Sequence, residues 1–111
     1  PVFARERGGT RSHALAIEAA TWGGGQAAAK RLEGARLLSC GIGLPKALVA
    51  PVQGDVNGLR LGVPEIVRLG LGPAEMEELA ALIARGLRSA AAAPEVTALR
   101  QRFSGLRFVR P

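Results

Sequence analysis

One cysteine, Cys40, and one histidine, His13, are all that the sequence has of the residue types that most often build disulfides and metal sites. A lone cysteine permits no internal disulfide and fits a reducing compartment. Structural zinc asks for four such ligands, so no metal is expected. Tyrosine is absent and aromatics are only 4% of the residues, which leaves few platforms for stacking bases. No apolar run approaches the ~18 residues of a membrane helix, and no charged-then-apolar signal segment opens the chain. Repeats and a second composition regime are missing as well.

What is there suits one domain over residues 1–111, with 48% apolar types, enough for a core. Fifteen Lys and Arg against nine Asp and Glu give a formal charge of +6. A basic domain can neutralise phosphates. Here the cations are dispersed, without a dense run, and all but Lys30 and Lys46 are arginine. A solvated basic surface is therefore the plainer reading, and nucleic acid is not the expected partner. With Pro1 first and Met76 the only methionine, either an initiator was removed or the chain was cut from something longer, and the second is the expectation.

The local pattern predicts a mixed fold. Residues 1–7 read as a lead-in, broken by Gly8-Gly9. His13 to Ala19 alternates, with Leu15 and Ile17 on one face and Ala14, Ala16 and Glu18 on the other, which suits a strand. Gly23-Gly24-Gly25 reads as a flexible joint, and Gln26 to Glu33 as a helix stopped by Gly34. Ala35 to Cys40 reads as a second strand. Residues 41–57 read as an irregular connection with an extended piece at 47–50. Leu59 to Leu61 reads as a short strand with its leucines facing one way and Arg60 the other. Proline at position 73 marks a helix start. Met76, Leu79, Ala80, Ile83 and Leu87 form its apolar stripe, with glutamates early and Arg85 and Arg88 late, as the helix dipole favours. Beyond Pro94 a last helix buries Val96, Leu99 and Phe103. The economical architecture is α+β: a small antiparallel sheet with helices packed on one face.

Few residues carry chemistry. Arg60, between leucines and bracketed by Gly58 and Gly62, has a planar fork that matches a carboxylate through two parallel hydrogen bonds. By pattern alone it is also an ordinary outward arginine on a half-exposed strand. His13 has no partner at a triad spacing and reads as structural. Cys40, without a histidine near it in sequence, reads as a small buried residue rather than a nucleophile. The Gly23–Gly25 run lacks the lysine and the spacing of a phosphate loop. Glu65 and Arg68 stand three apart and can pair on one helical turn.

Two segments then stand out together. Gly8-Gly9-Thr10-Arg11-Ser12-His13 resembles the glycine-glycine-threonine-x-x-histidine segment near the start of the C-terminal domain of serine hydroxymethyltransferases. Asn57-Gly58-Leu59-Arg60-Leu61-Gly62-Val63-Pro64 is similar to that family's substrate-arginine motif, serine-glycine-leucine-arginine-leucine-glycine-threonine-proline. The resemblance continues in order and spacing to about Leu87. It implies the C-terminal small domain of a fold-type-I enzyme that uses pyridoxal 5′-phosphate, with the large cofactor-binding domain outside this chain. The implied activity is reversible carbon–carbon cleavage of a 3-hydroxy amino acid, with one-carbon transfer to tetrahydrofolate. Arg60 is then the residue that binds the substrate carboxylate, with His13 and Thr10 in support. The implied partners are the amino-acid substrate, the protein's own large domain and a second subunit, in the cytoplasm.

Departures from the family pattern are informative. Neither Lys30, in a polar helix, nor Lys46, in a loop, is placed to form the cofactor's Schiff base. No catalytic residue is therefore expected in this fragment, which alone should be inactive, and no cofactor-binding residue is assigned. Ser39-Cys40-Gly41-Ile42 stands where the family carries an asparagine-lysine-asparagine run near the folate, so tetrahydrofolate is doubtful. Val63 replaces threonine, Glu65 stands where alanine is common, and Arg68 is displaced by one from the family's arginine. These changes make a folate-independent aldolase or transaldolase the first alternative. A non-catalytic basic nucleic-acid-binding module is the second.

Overall fold

The computed structural model describes residues 1–107. Three strands, β1 (Ala14–Glu18), β2 (Cys40–Ile42) and β3 (Gly58–Gly62), form an antiparallel sheet in the order β1-β3-β2. Four α-helices accompany it: α1 (Gly25–Gly34), α2 (Pro64–Arg68), α3 (Met76–Gly86) and α4 (Ala93–Gln101). This is the expected α+β class. The register sets Leu15 opposite Leu61, Ile17 opposite Leu59, and Ala16 and Cys40 on either side of Arg60. Because side chains alternate along a strand, the four apolar residues share one face, while Ala14, Ala16, Cys40 and Arg60 share the other.

The apolar face meets the helices. Leu59 is buried in a cluster with Ala19, Ala28, Leu32 and Leu87, against which Trp22 and Ile83 pack. A second cluster of Leu71, Leu82, Val96 and Leu99 joins α3 to α4. Arg85 on α3 pairs with Glu95 on α4, its Nη2 2.6 Å from Oε1. Arg102 grips Glu78 through two hydrogen bonds of 2.7 and 3.2 Å. The Glu65–Arg68 pair forms as expected, at 3.7 Å.

The glycine run at 23–25 is not a flexible joint. Gly25 begins α1 and is buried, and a Cβ there would overlap the Gly58 carbonyl oxygen and stand 2.9 Å from the Gly41 Cα. The helix start is thus pressed onto both β2 and β3. Its first free N–H groups are taken by Asp55, the chain's only aspartate. Asp55 Oδ1 accepts from Gln26 N–H and Oδ2 from Ala27 N–H, each at 3.0 Å. These bonds, Ala27 foremost and then Gln26, hold the Asp55 carboxyl below its usual range. Since a carboxylate of the chain fills the helix N-terminus, that end is no phosphate cradle.

Other expectations shift in register. Gly34 is the last residue of α1, one beyond the expected end, but the left-handed turn does not fall on it. The chain turns two residues later, where Arg36 adopts φ 64° and Leu37 N–H returns to the Leu32 carbonyl at 2.8 Å. Arg36 is held there by a 2.9 Å bond to the Thr97 hydroxyl on α4. The second strand consequently starts at Cys40, not at Ala35. Residues 47–50 are not extended: Leu48 and Val49 N–H groups both fold back on the Pro45 carbonyl. The lead-in pairs with the sheet, Val2 bridging to Ile17. Helix α2 is an additional element, begun by Pro64. On α3, Ala80 is exposed whereas Leu82 and Gly86 are buried. Pro94 lies in the first turn of α4 and does not precede it.

Candidate functional site

Arg60 lies at the middle of the central strand, on the face away from the helices, and is exposed. Among the described residues it makes no hydrogen bond and no ion pair, while Arg68, Arg85 and Arg102 each have a carboxylate. Its neighbours across β1 are small: Ala16 directly opposite and Ala14 paired to Gly62. Small side chains there leave space over the sheet, and a groove of about 380 Å³ fills it. Arg60 and Thr10 are the polar side chains of this groove; Ala14 and Ala16 belong to it as well, together with Ile42 and Leu44. The stretch from Val2 to Ala4 closes another side.

The double glycine explains how Thr10 arrives there. Gly8 and Gly9 have φ of 84° and 72°, a region that residues with a Cβ rarely occupy, and Gly9 N–H returns to the Ala4 carbonyl at 3.0 Å. The chain reverses over this turn and brings Thr10 to the groove. The Thr10 hydroxyl oxygen accepts from Ser12 N–H at 2.9 Å, and Ser12 Oγ accepts from Ala14 N–H at 3.3 Å. These short bonds lead the chain into β1.

Of the expected site residues, the structure brings Arg60 and Thr10 into one groove. His13 is exposed and is not part of its lining; its backbone carbonyl instead accepts from Val63 N–H at 3.0 Å, joining the start of β1 to the entry of α2. Cys40 is exposed rather than buried, on the same face as Arg60. The reason is the late start of β2: strand parity turns position 40 outward with its partner Arg60. Lys30 and Lys46 are exposed and lie outside the groove. Sequence reasoning missed Asp55 and Asn57, the two polar residues that set the backbone leading into β3. The signal available was an isolated aspartate and asparagine in an otherwise apolar, glycine-rich approach to the arginine motif.

No protein-family model matches the chain. Among curated proteins it is 60% identical, over 111 residues, to an alpha-methylserine aldolase of Variovorax paradoxus, covering 98% of this chain and 24% of that protein. A second protein of that name, from a Ralstonia sp., is 52% identical over 114 residues, 99% of this chain and 25% of the relative. A serine hydroxymethyltransferase of Thermoplasma acidophilum is 39% identical over 90 residues, 78% of this chain and 20% of the relative. The two motifs and these identities agree: the chain is a small domain of the serine hydroxymethyltransferase-like family. It spans about a quarter of the length of the curated relatives it matches.

Proposed function

We propose that residues 1–111 are the C-terminal small domain of a pyridoxal 5′-phosphate enzyme that makes and breaks a carbon–carbon bond of a 3-hydroxy amino acid, as an alpha-methylserine aldolase does by its name. The observation that carries this reading is Arg60: a guanidinium without a partner among the described residues, on the open face of the central strand, in a groove it shares with Thr10. A carboxylate satisfies such a fork with two charge-assisted hydrogen bonds. Holding the carboxylate fixes the orientation of the α-carbon and so selects the bond presented for cleavage. The Thr10 hydroxyl is a second polar contact at the groove, and His13 supports through the backbone at the end of the sheet.

The aldolase reading is favoured over transfer to tetrahydrofolate for two reasons. Identity to the aldolases is 52–60% across 98–99% of the chain, against 39% across 78% for the hydroxymethyltransferase. In addition, the groove presents Ile42 and Leu44 as its β2-side lining, and Ile42 belongs to the stretch that stands where the family carries its asparagines near the folate. A pterin ring requires donors and acceptors, and those two side chains supply none.

The described residues of this chain do not fit the cofactor itself. No lysine reaches the groove, and the N-terminus of α1 is filled by Asp55. In this reading the cofactor is held by the remaining three-quarters of the protein, and the small domain alone is inactive. Held there, pyridoxal 5′-phosphate would supply an electron sink, while this chain's part would be to hold the substrate carboxylate through Arg60. The family resemblance further supports a cytoplasmic homodimer. The test is Arg60→Lys in the full-length holoenzyme. Loss of the bidentate contact should cost about 2 kcal/mol or more, a rise in KM for α-methylserine of ~30-fold, with the cofactor's visible absorbance intact. An unchanged KM overturns the reading.

A further inference from the structure

The connection between β2 and β3 has no regular structure, yet it supplies the groove with Leu44. That residue is buried, as is Val49 a few positions on. Turn chemistry alone does not hold the segment, since only the Leu48 and Val49 N–H groups fold back, onto Pro45. The clamp is Asn57, itself only 5% exposed. Its side-chain carbonyl accepts from Leu44 N–H at 2.7 Å. Its amide donates to the Leu44 carbonyl at 3.2 Å and to the Val49 carbonyl at 3.1 Å. Both amide protons and the oxygen are therefore in use, as a buried asparagine requires. Next to it, Gly58 leaves room for the Leu44 side chain: a Cβ at that position would stand 2.7 Å from Leu44 Cγ. Asn57 and Gly58 together seat Leu44 against the strand that carries Arg60 two residues further on.

Resting on the function proposed above, we infer that Asn57 is a positioning residue for substrate discrimination. By clamping residues 44–49 it holds Leu44 as an apolar wall of the Arg60 groove. The guanidinium then reads the carboxylate common to all amino acids, and the wall reads the apolar substituent that separates α-methylserine from serine. Asparagine suits this position better than the family's serine, because a hydroxyl has one proton and cannot donate to two carbonyls at once.

The experiment compares steady-state kinetics of the full-length holoenzyme on α-methylserine and on serine. Asn57→Ala and Leu44→Ala are each expected to lower the ratio of the two kcat/KM values by about 10-fold, the lower end of what one buried methylene can discriminate. The double variant should fall little further, because both changes release the same wall. Arg60→Lys is expected to impair both substrates alike and to leave the ratio in place. If Arg60→Lys impairs both substrates but the ratio survives in the Asn57 and Leu44 variants, the inference is overturned and the function above stands. Equal losses on both substrates in Asn57→Ala mark a merely structural residue and also overturn it, as do fully additive effects. Parental kinetics in Arg60→Lys overturn the underlying function instead. Should Asn57→Ala not fold, Asn57→Asp, which keeps the acceptor for Leu44 N–H and removes both donors, carries the same expectation alongside Leu44→Ala.

Discussion

Adding one methyl group at each end of α1 should move stability in opposite directions. At position 25 a Cβ would overlap the Gly58 carbonyl oxygen and lie 2.9 Å from the Gly41 Cα. Ordinary carbon–carbon contact is about 3.5–4.0 Å, so relief demands a movement of the helix start of roughly 1 Å. Overpacking of this kind costs about 1–3 kcal/mol. The same movement stretches the 2.7 Å bond from Gly25 N–H to the Val56 carbonyl, a further loss of about 1 kcal/mol. Gly25→Ala should therefore destabilise by about 2–4 kcal/mol, lowering Tm by roughly 8–30 °C for a domain of this size. At position 34 a Cβ meets only the Ala90 Cβ at 3.6 Å, an ordinary contact. Gly34→Ala then gains helix propensity, about 0.5–1 kcal/mol. Thermal unfolding followed by far-ultraviolet circular dichroism reads both variants. A Gly25→Ala melting point within about 3 °C of the parent would refute the tight helix–sheet docking.

Two further perturbations probe the scaffold. Asp55 has its carboxyl held below the usual range by the Ala27 and Gln26 N–H groups. Its folded pKa thus lies below the unfolded one, so its contribution is complete above about pH 4 and disappears as pH falls through the folded value. Asp55→Asn should lower Tm at pH 7 and flatten the acid limb of the Tm–pH curve, and an acid limb identical to the parent's would contradict the capping role. Leu32, on α1 and fully buried in the cluster with Leu59 and Leu87, should cost about 2–5 kcal/mol on truncation to alanine, measured by urea unfolding.

Local periodicity made part of this fold legible. Alternation around Leu59-Arg60-Leu61 and Leu15-Ala16-Ile17 assigned both faces of the sheet, because strand geometry alone decides which way neighbours point. The arginine motif and the Gly8-Gly9-Thr10 turn were readable for the same reason: each works within a few residues. What escaped depends on distant partners. Asp55 caps a helix that starts about thirty positions earlier, and Arg36 takes a left-handed turn while bonded to Thr97 on another helix. The buried side of α3 was misjudged at Ala80, because the helix packs partly through Gly86. A Cβ there would come within 3.0 Å of Ala35 and 3.1 Å of Leu32, and a hydrophobicity pattern gives a contacting glycine no weight. The late start of β2 belongs with the distant partners, since the turn at Arg36 displaced it.

Asp55 and Asn57 are separated by a single residue, yet they anchor different parts: one the head of α1, the other the Leu44 loop. The approach to the arginine strand is in this sense a junction box. The two anchors are separable: a disturbance in the seat of the loop has, among the described residues, no direct hydrogen-bonded route to the head of the helix, and loss of the helix clasp leaves the loop's own three bonds in place.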